Sequence, residues 1–210
     1  MSGAWWVWPV AGLLYGAFRL WYDNWHGPLR ADEIDAFLST HGSAKLDRYS
    51  DPAVVRAFLE ADDGREFIMS NLVRAQPGEV AHPHTGTASG GQALLQEYGR
   101  HFVGVLLRHG GHPVMVMRKI GGYLDAWNTP PDPGWHVVGA MRYRSRRDLL
   151  RLAADPALAP VHQLKTSGVE MTFSFPARVM VSTAAGPRVW VALALALLAS
   201  VLHLLSLLPR

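Results

Sequence analysis

Five arginines between residues 142 and 151 form the densest group of side chains that could do chemistry: Arg142, Arg144, Arg146, Arg147 and Arg151. Guanidinium groups bind carboxylates and phosphates through two parallel contacts, and they also bind anionic lipid headgroups. Cations at a helix N-terminus oppose the helix dipole, so something should compensate for them. We therefore take Arg142, Arg144, Arg146 and Arg147 as candidates for anion or lipid binding. The alternative is a solvated face of ion pairs with Asp148 and Asp155.

A second set of residues could reach a cavity in or beside the predicted domain: Asn71, Tyr98, His101, His136, Arg142 and Tyr143. A Tyr or His can act as general base, while an Asn or Arg holds an enolate or carbonyl oxygen. These residues are our candidate catalytic set. The alternative is that they are buried and hydrogen-bonded within the fold. Motifs for a nucleophilic serine, a phosphate loop or a dinucleotide are absent from the sequence.

The chain has ten histidines and no cysteine. Without cysteine there is no disulfide, thiolate nucleophile or cysteine-ligated zinc. Two histidine pairs invite a metal interpretation, His82 with His84 and His109 with His112. Neither pair has the helical spacing of a zinc enzyme, and no acidic motif completes a site. We predict no metal site.

His203 lies within a long apolar segment, where an ionisable residue is a functional hypothesis by default. Ala199 precedes it by one helical turn. This spacing resembles light-harvesting polypeptides, in which a small residue lets a bacteriochlorophyll ring approach the ligating imidazole. The resemblance implies bacteriochlorophyll or haem as a cofactor at His203. The alternative is a neutral His bonded to a neighbour such as Ser200, or in contact with a lipid headgroup.

Two segments have the length and composition of transmembrane helices. Residues 4–22, AWWVWPVAGLLYGAFRLWY, would span roughly 28 Å as a helix, close to the thickness of a bilayer core. Residues 189–208 form the second segment, and tryptophans lie near both ends of the first. We predict two spans, within residues 1–26 and 184–210, on either side of a domain at residues 27–183.

Arginines cluster at the ends of the two spans that face this domain: Arg19, Arg30, Arg178 and Arg188. Only the α-amino group and Arg210 lie beyond the outer ends. By the positive-inside rule, we predict that the protein lies in a bacterial inner membrane with this domain on the cytoplasmic side. The formal net charge of +3 is compatible with an anionic lipid surface. We expect no nucleic-acid partner.

The domain has the pattern of an α+β protein. We predict strands at residues 67–74, 113–120, 136–144 and 171–175, from their apolar alternation and β-branched content. Helices are predicted at 32–40, from Asp51-Pro52, at 93–109, after Ser145 and after Asp155-Pro156. Residues 76–92 are predicted to be a loop. The order βαββαβ is ferredoxin-like, and the uncovered sheet face favours a homodimer through that face.

Four segments, FIMSNLVR, RHGGHPV, RYRSRRDLL and KTSGVEMTFSFP, resemble the dimeric α+β barrel superfamily over residues 31–180. The likeness is to a bacterial branch near the antibiotic-biosynthesis and haem-degrading monooxygenases. It implies a ferredoxin-like fold and a dimer, and it leaves activity open because members include oxygenases, isomerases and binding modules. An Asn in the first strand, here Asn71, matches the haem-degrading branch. The haem-ligating His and catalytic Trp of that branch have no counterpart at matched positions.

Three functions follow as hypotheses. The first is an accessory or scaffolding subunit of a bacterial membrane complex, a photosynthetic complex being one option, with membrane lipid and other subunits as partners. The second is a membrane-tethered, monooxygenase-like enzyme acting on an apolar substrate. The third is a pigment- or haem-binding subunit that uses His203.

Overall fold

The computed structural model describes residues 3–41 and 50–208, and the side chain of His41 is not described. The chain forms two compact units. His26–Arg178 is the α+β unit, while Met1–Trp25 and Val179–Arg210 together form a helical unit.

The α+β unit is built on a four-stranded antiparallel sheet. Its strands, in chain order, are β1 Phe67–Ala75, β4 His112–Arg118, β5 Val137–Tyr143 and β6 Val169–Ala177. They lie in the order β4-β5-β1-β6. Helix α4, Gly91–Arg108, connects β1 to β4, and helices α5, Arg146–Ala154, and α6, Leu158–Gly168, connect β5 to β6. This order and connectivity fit the predicted ferredoxin-like arrangement, an α+β fold.

The turn from β5 into α5 follows the predicted capping chemistry. The Asp148 N–H donates to Ser145 Oγ at 3.1 Å, and Ser145 Oγ donates to Asp148 Oδ2 at 2.7 Å. The cap satisfies an N–H in the first turn that has no partner within the helix. It places Arg144, Arg146 and Arg147 around the helix N-terminus.

Residues 76–92 were predicted to be a loop, and this prediction is wrong. They contain a small hairpin of β2 Glu79–Ala81 and β3 Ala88–Gly90, and α4 begins at Gly91 rather than at Ala93. The hairpin closes because Gly86 adopts φ +72° and donates its N–H to the His82 carbonyl at 2.9 Å. Only glycine enters this left-handed region without steric cost, so one residue within a polar run suffices to form the turn.

The core lies between the sheet and helices α4 to α6. Phe67 and Tyr143 are stacked across β1 and β5 with ring centroids 5.2 Å apart. Phe102, Leu106 and Leu152 pack onto this pair from the helices. Since side chains alternate along a strand, these contacts define which residues of each strand face the helices.

The residues that alternate with the core residues along each strand point to the opposite side of the sheet, here called the open face. Five large apolar side chains there are each 40–48% exposed: Met115, Met117, Met171, Phe173 and Phe175. Their register partners on β1 and β5 have the same orientation, because residues opposite each other in an antiparallel pair share a face. No other element of the described residues covers these five side chains fully.

Two helices precede the sheet in the same unit, α2 Ala31–His41 and α3 Pro52–Glu60. Asp51 caps α3 by accepting from the Ala53 N–H at 2.8 Å, and Pro52 occupies the first helical position, as predicted from Asp-Pro. Phe58 of α3 packs edge-on against Phe67, which joins this extension to the core.

The helical unit consists of α1, Val7–Tyr22, and α7, Pro187–Leu207. Among the described residues, one helix is long and apolar enough to cross a bilayer, and it is α7. Helix α1 has 16 residues where the sequence predicted a segment of residues 4–22, because residues 3–6 form a turn before it. The predicted second span is therefore not supported by helix length alone.

Candidate functional site

Arg144 and Arg142, two of the predicted anion-binding arginines, each pair with a carboxylate in the fold. Arg144 contacts Asp148 through both Nε and Nη2, each at 2.8 Å. Arg142 Nη1 lies 2.6 Å from Glu66 Oε1. Burial alone would raise the pKa of Asp148, but hydrogen bonds from Arg144 and Ser145 outweigh it and hold the pKa below its ordinary value. Asp148 is therefore the counter-ion at this helix N-terminus.

The other two predicted arginines hold the N-terminal extension of the unit. Arg147 donates to the Glu33 carboxylate in α2 and, at 3.0 Å, to the Pro28 carbonyl. Arg146 donates to the Phe58 carbonyl, and its guanidinium lies 4.3 Å from the centre of the Phe58 ring. Asp62 Oδ1 is 3.5 Å from Arg146 Nε.

Most of these arginines therefore connect segments that are distant in sequence, through salt bridges and hydrogen bonds within the fold. Arg142 and Arg147 each keep a buried Nε without a hydrogen-bond partner among the described residues. Arg151 is the most exposed of the five, with 53% of its side chain accessible. Anion binding by Arg142, Arg144, Arg146 and Arg147 stays a prediction, and the geometry favours ion pairs within the fold.

Asn71 lies in the middle of β1 on the face that meets the helices. Its Nδ2 donates to the Met69 carbonyl at 3.0 Å, and its Oδ1 accepts from Ser174 Oγ at 2.6 Å. Ser174 is its direct partner across β1 and β6. The amide is thus held in one orientation by its own neighbours.

The two candidate tyrosines belong to the core. Tyr98 stacks on Phe102 at 5.3 Å, and Tyr143 stacks on Phe67. Burial raises the pKa of both phenols, and the neighbouring Tyr143 raises that of Tyr98 further. Raised pKa values disfavour the phenolate, the form a general base requires.

His101 and His136 lie on different parts of the unit. His101 is exposed on α4. His136 precedes β5, where its Nδ1 accepts from the buried Ala75 N–H at 3.0 Å and its own N–H donates to the Val73 carbonyl at 2.9 Å. The acceptor role of Nδ1 assigns the proton of the neutral ring to Nε2. His136 therefore joins the ends of β1 and β5.

The sheet register separates these candidates. Asn71 lies opposite Gly139, with Tyr143 four residues along β5 in one direction and His136 three residues in the other. At about 3.3 Å per residue, Tyr143 and His136 are roughly 23 Å apart along the strand. A small substrate cannot reach both ends, so the five candidates do not form one acid–base site in the described residues.

The histidine pairs considered for metal binding have other partners. His82 Nε2 lies 3.1 Å from Glu97 Oε2, and His84 Nε2 lies 3.1 Å from the Pro160 carbonyl. His109 Nε2 is 2.9 Å from Asp155 Oδ2. Burial lowers the pKa of His112, and Arg142 lowers it further. Within residues 3–41 and 50–208, no three metal-ligating side chains converge.

His203 lies near the end of α7 on the side facing α1. Its ring meets Trp5 edge-on, with centroids 4.4 Å apart, and Ala199 one turn earlier is 3% exposed. A side chain at Gly3 would come within 3.1 Å of the ring. The imidazole is therefore packed against the turn that precedes α1. Pigment or haem ligation at His203 stays a prediction.

Sequence reasoning missed Asp23, which follows α1. Its carboxylate accepts from Arg19 Nε at 2.6 Å and from Arg188 Nε at 2.7 Å. The i, i+4 spacing of Arg19 and Asp23 is a local sequence signal that predicts their salt bridge. The contact with Arg188 had no local signal, since 165 positions separate it from Asp23.

Neither a protein-family model nor a curated protein sequence matches the chain. Among solved structures, it is similar to a protein of unknown function from Rhodopseudomonas palustris, at 23% identity and TM-score 0.53. The match covers 63% of this chain and 95% of that one. The methylated form of that protein matches at 22% identity and TM-score 0.52, over 64% and 95% of the two chains. These likenesses show the fold alone.

A third match is a Bacteroides thetaiotaomicron protein classed provisionally as an antibiotic biosynthesis monooxygenase. It shares 11% identity and has a TM-score of 0.37, over 58% of this chain and 96% of that one. A likeness of this size carries no conclusion about activity.

Proposed function

We propose that this chain is an accessory or scaffolding subunit of a bacterial inner-membrane complex, anchored by two helices. The observation that carries the proposal is the contrast between its surfaces and its polar groups. The helical unit and the open face expose large apolar side chains. The candidate catalytic residues lie apart: the two tyrosines are stacked in the core, Asn71 and His136 are hydrogen-bonded within the sheet, and His101 is exposed on α4. Such a molecule is suited to association rather than to chemistry.

Helix α1 is the second span in this proposal because it runs antiparallel to α7 along its whole length. At one end, the Ala4 N–H donates to Ser206 Oγ at 2.8 Å. Tyr15, in the middle of α1, donates to the Arg188 carbonyl at 3.1 Å, and at the other end Asp23 binds Arg188. These contacts support the proposal that α1 enters the bilayer beside α7.

The outer surface of this helix pair is apolar, as lipid contact requires. Leu13 and Leu20 of α1 are 74% and 70% exposed, and Leu193 and Leu197 of α7 are 62% and 67% exposed. Arg19 and Arg188 lie at the end from which the chain continues into the α+β unit. By the positive-inside rule, that end and the α+β unit are cytoplasmic.

The open face is the docking surface of the α+β unit in this proposal. Phe173 and Phe175 form a stacked pair there, and β6 is an edge strand. Each of its five exposed apolar residues loses water contact when the sheet is covered, which contributes about 25 cal/mol per Å². The occupant in this proposal is another subunit of the complex.

The test is purification of the tagged full chain in a mild detergent from membranes washed with alkaline carbonate. We expect the chain in the membrane fraction, with other subunits in fixed stoichiometry. The variant Phe173→Asp should lose those subunits and remain in the membrane. The matched control is Val54→Asp, since Val54 is exposed on α3.

A chain found in the aqueous fraction would contradict the anchor. A lone homodimer in every detergent would contradict the accessory role. Retention of the partner subunits by Phe173→Asp would exclude the open face as their docking surface.

A further inference from the structure

The end of the helical unit that leads into the α+β unit has two cations and one anion. Arg19 and Arg188 come from different helices, and both contact the Asp23 carboxylate through Nε, at 2.6 Å and 2.7 Å. The three side chains together carry a net charge of +1. Asp23 is the enclosed member, with 12% of its side chain accessible, whereas Arg19 and Arg188 are 40% and 39% accessible. The excess positive charge is therefore on the surface.

The start of α7 adds to the positive potential near Arg188, and aromatic side chains surround this end of the helix pair. Helix α7 begins at Pro187 with no side-chain cap at Gly186, so the positive end of its dipole lies beside Arg188. The ring of Tyr22 lies 5.2 Å from the Arg188 guanidinium. Trp21 and Trp25 are 53% and 66% exposed. Amphipathic aromatic rings favour the headgroup region of a bilayer.

We propose that Arg19 and Arg188 bind the phosphate of an anionic phospholipid headgroup at the cytoplasmic end of the helix pair. A phosphodiester matches the fork of a guanidinium, and two arginines from two helices can share it. Asp23 holds the two guanidiniums together and partly offsets their charge, so the phosphate neutralises the remaining +1. The inference rests on the proposed placement of both helices in the membrane.

This arrangement assigns a particular role to Asp23. If Asp23 only joined the helices, its removal would loosen the pair without changing lipid preference. If Asp23 competes with a headgroup for the same cations, its removal should strengthen the binding of anionic lipid. The two roles predict different results for one substitution.

The experiment uses the full chain in nanodiscs of equimolar phosphatidylglycerol and phosphatidylcholine. Native mass spectrometry counts the lipids of each kind that remain bound after mild activation. The wild type should retain phosphatidylglycerol in preference to phosphatidylcholine. Arg19→Gln, which leaves the Asp23–Arg188 pair in place, should lower this ratio about fivefold, the factor expected for one cation at an anionic surface.

Asp23→Asn should raise the same ratio about fivefold, since it increases the local charge from +1 to +2. Arg56→Gln is the matched control, because Arg56 is a partly exposed arginine of the α+β unit with its own carboxylate partners. It should leave the ratio unchanged. Helix content measured by circular dichroism must remain constant across the set.

The outcomes separate this inference from the proposed function. A chain that fails to enter nanodiscs contradicts the membrane anchor and, with it, the lipid site. A chain that enters them without preferring phosphatidylglycerol overturns the lipid site alone, as does an Asp23→Asn variant whose ratio is unchanged or lowered. Loss of the preference on adding inorganic phosphate would show that the two arginines take a soluble phosphate instead.

Discussion

Arg144 and Asp148 form a two-contact ion pair across one turn at the start of α5, with Nε–Oδ2 and Nη2–Oδ1 distances of 2.8 Å. The Asp148 side chain is 3% exposed and also accepts from the Ser145 hydroxyl. The same carboxylate thus neutralises an arginine, orients the capping serine and complements the helix dipole. It is the point on which the β5–α5 connection depends.

We predict that Asp148→Asn destabilises the α+β unit by about 3 kcal/mol, because it removes the negative charge of a buried carboxylate that pairs with Arg144 and accepts from Ser145. The measurement is denaturant unfolding of the full chain in detergent micelles, followed by near-ultraviolet circular dichroism. Asp35→Asn is the control, since Asp35 belongs to an exposed pair with Arg56. Exposed pairs contribute less than about 1 kcal/mol. Equal losses for both variants would contradict this role of Asp148.

The stability of the unit should also fall in acid. The hydrogen bonds from Arg144 and Ser145 outweigh burial and hold the pKa of Asp148 below its ordinary value. A carboxylate whose pKa is lowered by folding stabilises the native state above the unfolded pKa of about 3.9. This contribution is lost as the pH falls through the folded pKa.

We therefore expect the free energy of unfolding to decrease below about pH 4, and to decrease less steeply in Asp148→Asn. Some decline should persist, because the pKa values of Asp132 and Asp155 are also lowered, by hydrogen bonds from Lys119 and His109 respectively. The measurement is unfolding at a series of pH values from 6 down to about 2. If the free energy of unfolding fell equally with pH in wild type and variant, a group other than Asp148 would be responsible for the loss of stability in acid.

Several features that depend on neighbours in sequence were predicted correctly, but the helix start predicted at Asp155-Pro156 is wrong, since α6 begins at Leu158 with Ala157 as its N-cap. Alternation of apolar residues located β5, and the Ser145 side chain with Asp148 three residues later located the start of α5. Asp51-Pro52 located α3 for the same reason. The β2–β3 hairpin was missed because its signal is the backbone conformation of Gly86, which a polar run does not reveal.

The candidate site was less predictable, because it depends on contacts between distant residues. Arg147 and Glu33 are 114 positions apart, and Arg142 and Glu66 are 76 apart. A cluster of arginines in sequence indicates positive charge, but only the tertiary fold shows that carboxylates from three other segments meet it. The catalytic candidates failed to converge for the related reason that strand register, which separates Tyr143 from His136, is set by long-range pairing.

His136 should matter for stability through its Nδ1 atom. His136→Leu leaves the buried Ala75 N–H without its acceptor, at a cost of about 1–3 kcal/mol. His136→Asn is the matched variant, since an Asn carbonyl can occupy the position of Nδ1 and accept the same hydrogen bond. Hydrogen exchange at the Ala75 amide should be fast in the Leu variant and slow in the Asn variant. Fast exchange in both would indicate that the imidazole ring acts by packing alone.

Two glycines of α4 should respond to alanine in opposite directions. A Cβ at Gly91 would lie 2.5 Å from the Gln76 carbonyl oxygen and 2.8 Å from the Gln76 nitrogen. Both are backbone atoms, and the Gln76 N–H is bonded to the Gly168 carbonyl at 2.9 Å, so the neighbour cannot yield cheaply. We expect Gly91→Ala to cost about 1–3 kcal/mol, as overpacking does.

Gly104 is exposed, and a Cβ there meets nothing within 4 Å. Gly104→Ala should therefore stabilise the unit by about 0.5–1 kcal/mol, because alanine restricts the unfolded chain and favours the helix. Denaturant unfolding of both variants, compared with the wild type, gives the two signs directly. A neutral Gly91→Ala variant would show that the close approach of α4 to Gln76, just after β1, does not constrain the fold.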